Sequence, residues 1–186
     1  MTCRVVLSIG GNQGDALGLL RGVVAAAAAD RILVSCSSVY ATPPWGGVEQ
    51  DDFLNAVLVV DHPGTPRDVL EWGFARERGA GRTREVRWGP RTLDVDVVTA
   101  RIDDDEVTST DPELTLPHPR AAERAFVLVP WAEIEPGAVL AGRPVADLLA
   151  ALDPGDVAAV RRLDAPLVGP PTPDGPPDPA DPPVTS

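Results

Sequence analysis

The run Leu93-Asp94-Val95-Asp96-Val97 constrains this chain more tightly than any other five residues in it. Apolar and acidic residues alternate with period two, the pattern of a strand with one buried face. On such a strand Asp94 and Asp96 share a face, about 6.7 Å apart along the backbone. Aspartate is depleted in strands and like charges side by side repel, so the arrangement calls for something cationic over it. Two carboxylates at this spacing suit hard cations, including a pair of ions about 3.5–4 Å apart. An exposed edge strand with an Asp-rich polar face accounts for the alternation equally well.

Neighbouring charge tips the balance. The 186-residue chain has a formal net charge of −12, which argues against nucleic acid or an anionic membrane as its general partner. Its 16 basic residues are all arginine. Arg76, Arg78, Arg82, Arg84, Arg87 and Arg91 fall within positions 76–91 beside only Glu77 and Glu85, so six positive and two negative charges leave +4 there. Screening limits exposed fields to about 8 Å at physiological salt, so the local sign decides what binds. Arginines next to a carboxylate pair are what a Mg²⁺–polyphosphate complex needs, one set for the phosphate oxygens and the other for the metal. Gly79, Gly81, Gly89 and Pro90 break the run into a loop able to move over a ligand, and Trp88 offers a flat cover. The glycine-rich "GGNQGD" is not a P-loop, because that loop requires a lysine.

Around this segment the stretches 4–9, 31–42 and 52–61 read as strands. A first helix follows an N-cap at Asp15 with the stripe Leu17, Leu20, Val24 and Ala27. A second opens at Thr65-Pro66 and carries Val69, Leu70, Trp72 and Phe74. The order β-α-β-β-α-β predicts an α+β, ferredoxin-like core, an antiparallel sheet with helices on one face. An acidic connection over 103–111, a helix near 120–132 and a shorter one near 144–151 come next. From Pro166 on, nine of 21 residues are proline, so the folded domain is expected over 1–165 and a disordered or polyproline-like tail over 166–186. Cys3 and Cys36 have neither metal spacing nor a disulfide framework. No apolar run approaches the ~20 residues of a membrane span, and the start lacks signal-peptide organisation. These features point to the cytoplasm and away from membranes.

A second constellation concerns flat ligands. "YATPPWGG", positions 40–47, ends a strand in two prolines with Trp45 at the tip. Asn55 shares a strand face with Phe53 and offers both donor and acceptor. The group suits a heteroaromatic ring with an amide-like edge; core packing around one satisfied asparagine is the competing account. His118 sits between two prolines ahead of Arg120 and Arg124, and only that company singles it out.

"RWGPRTLDVDVV", positions 87–98, closely resembles the signature R-W-G-P-R-T-L-D-[LIV]-D of the 6-hydroxymethyl-7,8-dihydropterin pyrophosphokinases. "SIGGNQGD", "VYATPPWGGVEQDDFLNAV", "GAGRTR" and "LTLPHPRAAERAFVLVPWAEIEP" resemble further blocks of that family in the same order, so the likeness covers positions 4 to about 150. It implies a folate-pathway enzyme that moves a pyrophosphoryl group from its co-substrate ATP to the pterin hydroxymethyl and releases AMP. It also implies two Mg²⁺ ions on Asp94 and Asp96, with Arg82 and Arg84 in a closing loop as further catalytic residues. Glu77, Arg87, Arg91, Thr115 and His118, together with Arg82 and Arg84, fall at nucleotide-contacting positions. The pterin would lie between Trp45 and Phe126, with Thr42, Pro43, Phe53, Asn55, Trp88 and Arg124 completing its pocket. Partners are then small molecules only, and the chain a monomer. Gly11, Gln13, Glu113 and Pro119 depart from the family pattern. Two other readings compete: a different two-metal nucleotidyl transferase on a ferredoxin-like sheet, and a non-catalytic nucleotide- or pterin-binding module.

Overall fold

Strand β1 (Cys3–Gly11) turns Val5, Leu7 and Ile9 to one face and Val6 to the other, and all four are buried. A strand apolar on both faces needs cover on both. The computed structural model describes residues 2–44, 50–81 and 92–168. After β1 come α1 (Ala16–Ala29), β2 (Leu33–Cys36), β3 (Tyr40–Thr42), β4 (Phe53–His62), α2 (Pro66–Gly79) and β5 (Asp94–Ile102). Short strands β6 (Asp105–Glu106), β7 (Ser109–Asp111) and β8 (Leu114–Leu116) lead to a 3₁₀ turn at Ala121–Glu123 and helix α3 (Ala125–Ile134). Strands β9 (Val139–Leu140) and β10 (Arg143–Pro144), helices α4 (Val145–Ala151) and α5 (Pro154–Ala158), and strand β11 (Arg161–Arg162) follow.

Among the described residues the main sheet has seven strands in the order β11-β3-β4-β1-β5-β6, with β2 also on β4, and every pairing is antiparallel. With β2 and β3 taken as one interrupted strand, this is the ferredoxin-like order, β1 lying between β4 and β5. The helix starts agree with the sequence: the Asp15 carboxylate accepts from Gly18 N at 2.9 Å, and Thr65 forms a capping box with Asp68. Helices α1 and α2 cover one face, where Val5, Leu7, Leu58, Val60, Val95 and Val97 are buried. Helix α2 comes so near β5 that a Cβ on Gly73 would sit 3.0 Å from the Val95 side chain.

The C-terminal helices, which the sequence assigned to neither face, cover the other one. Val6, Val57, Val59 and Val98 pack there with Leu128, Trp131 and Leu148 of α3 and α4. The all-apolar stretch Ala56–Val60 demands this second layer.

Three expectations are corrected. The strand over 31–42 is two strands, because the register against β4 slips by one residue after Leu33 and again between Cys36 and Tyr40. At the second slip Ser37 enters the ladder: its N–H donates to Val57 O, and its hydroxyl accepts from Val57 N at 2.9 Å. The helix near 120–132 is broken at Arg124, whose backbone is extended (φ −110°, ψ 99°), into the 3₁₀ turn and α3. The connection over 103–111 contains hairpin strand β6, turned at Asp103 and Asp104 with positive φ. Leu167 is 5% exposed, and Pro166 O accepts from Arg21.

Ser37→Ala leaves the buried Val57 N–H without its hydroxyl acceptor. It is expected to cost about 1–3 kcal/mol, read as a lower urea midpoint at unchanged slope; no change would place the β2–β3 break elsewhere in the chain's energetics.

Candidate active site

The α3 face of the sheet changes character along three neighbouring strands. On β1 the sequence of that face is Val6, Ser8, Gly10; on β4 it is Val59, Val57, Asn55, Phe53; on β5 it is Val98, Asp96, Asp94. The valines lie under α3 and α4, and the remaining residues line an open cleft of about 190 Å³. Register aligns them in rows: Asn55 and Asp94 both pair with Gly10, while Val57 and Asp96 both pair with Ser8. Two strand spacings therefore separate Asn55 from Asp94, about 10 Å.

A β-bulge makes this possible. Val98 is an extra residue in β5 opposite the Val6–Leu7 step of β1. Val98 faces α3 with the aspartates, whereas Ala100 and Ile102 return to the α1–α2 core with Val95 and Val97. Bulges concentrate where a strand must re-aim its side chains, and the carbonyl of Val98 accepts from His118 N at 2.8 Å. The bulge thus also anchors the loop that carries His118. On the outer side of β5, strand β6 covers only Arg101 and Ile102. The carboxylate of Glu77, on α2 and 4% exposed, accepts from Val95 N at 2.9 Å between the two aspartates.

Of the sequence-identified ring-binding residues, Thr42, Pro43, Phe53, Asn55, Arg124 and Phe126 line the cleft, with Asp94 and Asp96 on the same floor. Asn55 is buried, and its Nδ2 donates to Thr42 Oγ1 at 2.9 Å. Its Oδ1 hangs over Gly10, where a Cβ would meet it at 2.8 Å; a side chain there would displace the amide. The extended backbone at Arg124 lets its guanidinium reach Asp96 Oδ2 at 3.4 Å and lie 5.6 Å from the Phe126 ring centroid.

The nucleotide candidates are spread more widely. His118 lies beside the cleft rather than in its lining. Its Nδ1 accepts from Arg120 N at 3.2 Å, so a neutral ring carries its proton on Nε2, as a donor. Burial first, then the nearby Arg124 charge, holds its pKa below the ordinary 6.5. Thr115 sits on β8 with its hydroxyl donating to Asp111 O. Glu113, in the same hairpin, pairs with Arg67 of α2 at 2.9 Å, so its negative charge is compensated. Glu77 is turned to the β5 backbone and does not line the cleft. Trp45, Arg82, Arg84, Arg87, Trp88 and Arg91 lie outside the described residues.

Sequence reasoning missed Ser8, Gly10, Gln50, Arg120 and Glu123 in the lining. Ser8 and Gly10 carried a legible signal: small residues at alternate positions after an apolar run, matching the alternate aspartates of the strand beside them. Gln50 is held through its Oε1 by Asn12 Nδ2 at 3.0 Å, a pairing across 38 positions that no local pattern reveals.

For a hard divalent cation the donor chemistry fits: two carboxylates on one strand face, beside Ser8 and Gly10 of β1, with Arg124 already near Asp96. Among the described residues no helix is long and apolar enough to cross a membrane.

The model of the 7,8-dihydro-6-hydroxymethylpterin-pyrophosphokinase family matches residues 6–136. A Mycobacterium tuberculosis protein named 2-amino-4-hydroxy-6-hydroxymethyldihydropteridine pyrophosphokinase is 49% identical over 168 residues, 85% of this chain and 88% of its own. A Methylorubrum extorquens protein of the same name is 43% identical over 159 residues, 84% of this chain and 98% of its own. Among solved structures, wild-type Plasmodium falciparum HPPK-DHPS matches with a TM-score of 0.55 at 12% identity, over 81% of this chain and 41% of that one. That likeness concerns the fold, and this chain spans less than half the length of the Plasmodium chain. The family match across the strands, bulge and cleft described above shows that the chain belongs to the 7,8-dihydro-6-hydroxymethylpterin-pyrophosphokinase family.

Proposed function

We propose that the chain transfers a pyrophosphoryl group from ATP to the hydroxymethyl of 6-hydroxymethyl-7,8-dihydropterin, releasing AMP, as a step of folate biosynthesis. The carrying observation is the row Asn55–Gly10–Asp94, which sets the Asn55 amide and the Asp94 carboxylate on one floor about 10 Å apart, a spacing that supports an amide that reads the ring and a carboxylate that holds a metal. A pterin whose amide edge meets Asn55 and the Thr42–Pro43 backbone extends its hydroxymethyl toward Asp94 and Asp96. Phe126 and Phe53 supply apolar surface for the ring, and Arg124 spans both halves.

In the reaction the hydroxymethyl oxygen attacks the β-phosphorus of ATP, the bond from that phosphorus to the α-phosphate bridging oxygen breaks, AMP leaves, and the hydroxyl proton passes to water. Asp94 and Asp96 would hold Mg²⁺, as two ions, which when bound neutralises the polyphosphate and polarises the reacting phosphorus. No protein nucleophile is required; the chain's own work is positioning and charge. Glu77 fixes the strand between the two aspartates through Val95 N–H. Arg124 balances part of the Asp96 charge. His118 donates from Nε2 to a phosphate oxygen, and Arg82, Arg84, Arg87 and Arg91 supply positive charge around the nucleotide.

Product analysis by ³¹P NMR and mass spectrometry tests the reaction directly. AMP and a pterin diphosphate together are expected; ADP with a pterin monophosphate would refute pyrophosphoryl transfer. Asp94→Asn and Asp96→Asn are each expected to lower turnover by on the order of 10²- to 10³-fold or more while pterin affinity changes little. Turnover near wild type in either variant removes the metal assignment.

The lowered His118 pKa has a stability consequence of definite sign. The unfolded chain takes up a proton near pH 6.5, and the folded chain only at lower pH. Stability attributable to His118 is therefore full above about pH 6.5 and declines as pH falls toward the folded value. An NMR titration of the His118 Cε1–H is expected to give a midpoint below 6.5. His118→Gln is expected to flatten the acid-side fall in urea midpoint over that window.

A further inference from the structure

Strand β3, only three residues long, carries Thr42 to the cleft and pairs with β4 on its inner side. Its outer side is paired by β11, far along the chain: Arg161 faces Ala41, Arg162 faces Tyr40, and Leu163 N donates to Val39 O at 2.8 Å. Neither β11 arginine lines the cleft. Successive strand residues point to opposite faces, so the two guanidiniums reach different walls.

Arg161 Nη2 meets Asp52 Oδ2 at 2.6 Å, immediately before Phe53. Arg162 Nε donates to Ser38 Oγ at 2.8 Å and lies 3.5 Å from Glu133 Oε1 on α3. The Glu133 carboxylate in turn accepts from Ser38 N at 2.8 Å, Ser38 Oγ at 2.7 Å and Tyr40 Oη at 3.2 Å. These bonds join the three elements that wall the ring-binding half of the cleft: β3 with Thr42, the start of β4 with Phe53, and α3 with Phe126.

Exposed ion pairs contribute little to global stability, and both arginines are well exposed. What they do control is the relative placement of three walls that come from distant parts of the chain. We propose that Arg161 and Arg162 are positioning residues for the pterin: the C-terminal strand β11 braces Thr42, Phe53 and Phe126 at the spacing the ring requires. The proposal rests on the pterin reading above.

The test uses the full chain as wild type, Arg161→Ala/Arg162→Ala and Arg161→Lys/Arg162→Lys. KM for dihydropterin and for ATP, kcat, pterin Kd by calorimetry and Tm are measured for each. In the double alanine variant, KM and Kd for the pterin are expected to rise on the order of three- to ten-fold, with kcat and KM for ATP within about two-fold of wild type. The double lysine variant is expected to recover part of that loss. Pterin KM at the wild-type value, or pterin and ATP parameters shifting together with Tm, overturns the positioning role. Should the double alanine variant fail to fold, Arg161→Ala and Asp52→Asn singly carry the same comparison, and matching rises in pterin KM are expected. A wild-type chain that neither binds the pterin nor releases AMP overturns the functional reading and this proposal with it. A wild type that does both while the variants keep its pterin KM overturns the positioning role alone.

Discussion

One face of one sheet has to serve as packing surface at one end and as the polar floor of an open cleft at the other. Val6, Val57, Val59 and Val98 lie under α3 and α4; two to four residues further along the same strands stand Ser8, Gly10, Asn55, Asp96 and Asp94. Burying a carboxylate without a partner is costly, and leaving the valines uncovered forfeits about 25 cal/mol per Å² of apolar surface. Helix α3 therefore starts where the apolar residues start. The break at Arg124 marks that boundary: before it the chain runs along the cleft in a 3₁₀ turn, after it the chain packs as helix.

The bulge at Val98 is the device that reconciles the two tasks. Without it, strict alternation would put Ala100 and Ile102 on the same face as Asp94 and Asp96, and the α1–α2 core would lose two of its apolar contacts at the far end of β5. The extra residue resets the phase, and its carbonyl holds His118 beside the floor. Glu77 completes the support by binding the Val95 amide on a stretch of strand edge that β6 does not reach. The stretch that carries the carboxylate pair is thus held by β1 on one side and by a buried glutamate on the other.

Charge follows the same economy of placement. A chain of net charge −12 repels polyanions at long range, but screening confines that repulsion to about a Debye length. Near the floor, Arg124 and Arg120 face the cleft, and the His118 pKa is lowered by burial and by Arg124. Glu113, which departs from the family pattern, is engaged by Arg67. The electrostatics that matter are set within one or two side-chain lengths of the site.

The sequence by itself determined whatever depends on neighbours along the chain. Period-two alternation identified β5, and apolar runs between turn signals identified β1 and β4; the Asp15 and Thr65 caps located α1 and α2; and the order of elements selected the ferredoxin-like sheet. The Asp94–Asp96 pair and the Asn55–Phe53 face were legible for the same reason, since residues two apart on a strand share a face whatever surrounds it. Tertiary structure decided the rest, through contacts whose partners are remote in sequence. Ser37 splits the expected long strand only because Val57 presents both backbone groups to it. Glu77, which reads as a charge in an arginine-rich run, is a buried brace only because α2 crosses β5 at Gly73. That Asn55 and Asp94 flank the same glycine, and so share one cleft, follows from hydrogen-bond register between strands, which no local pattern encodes.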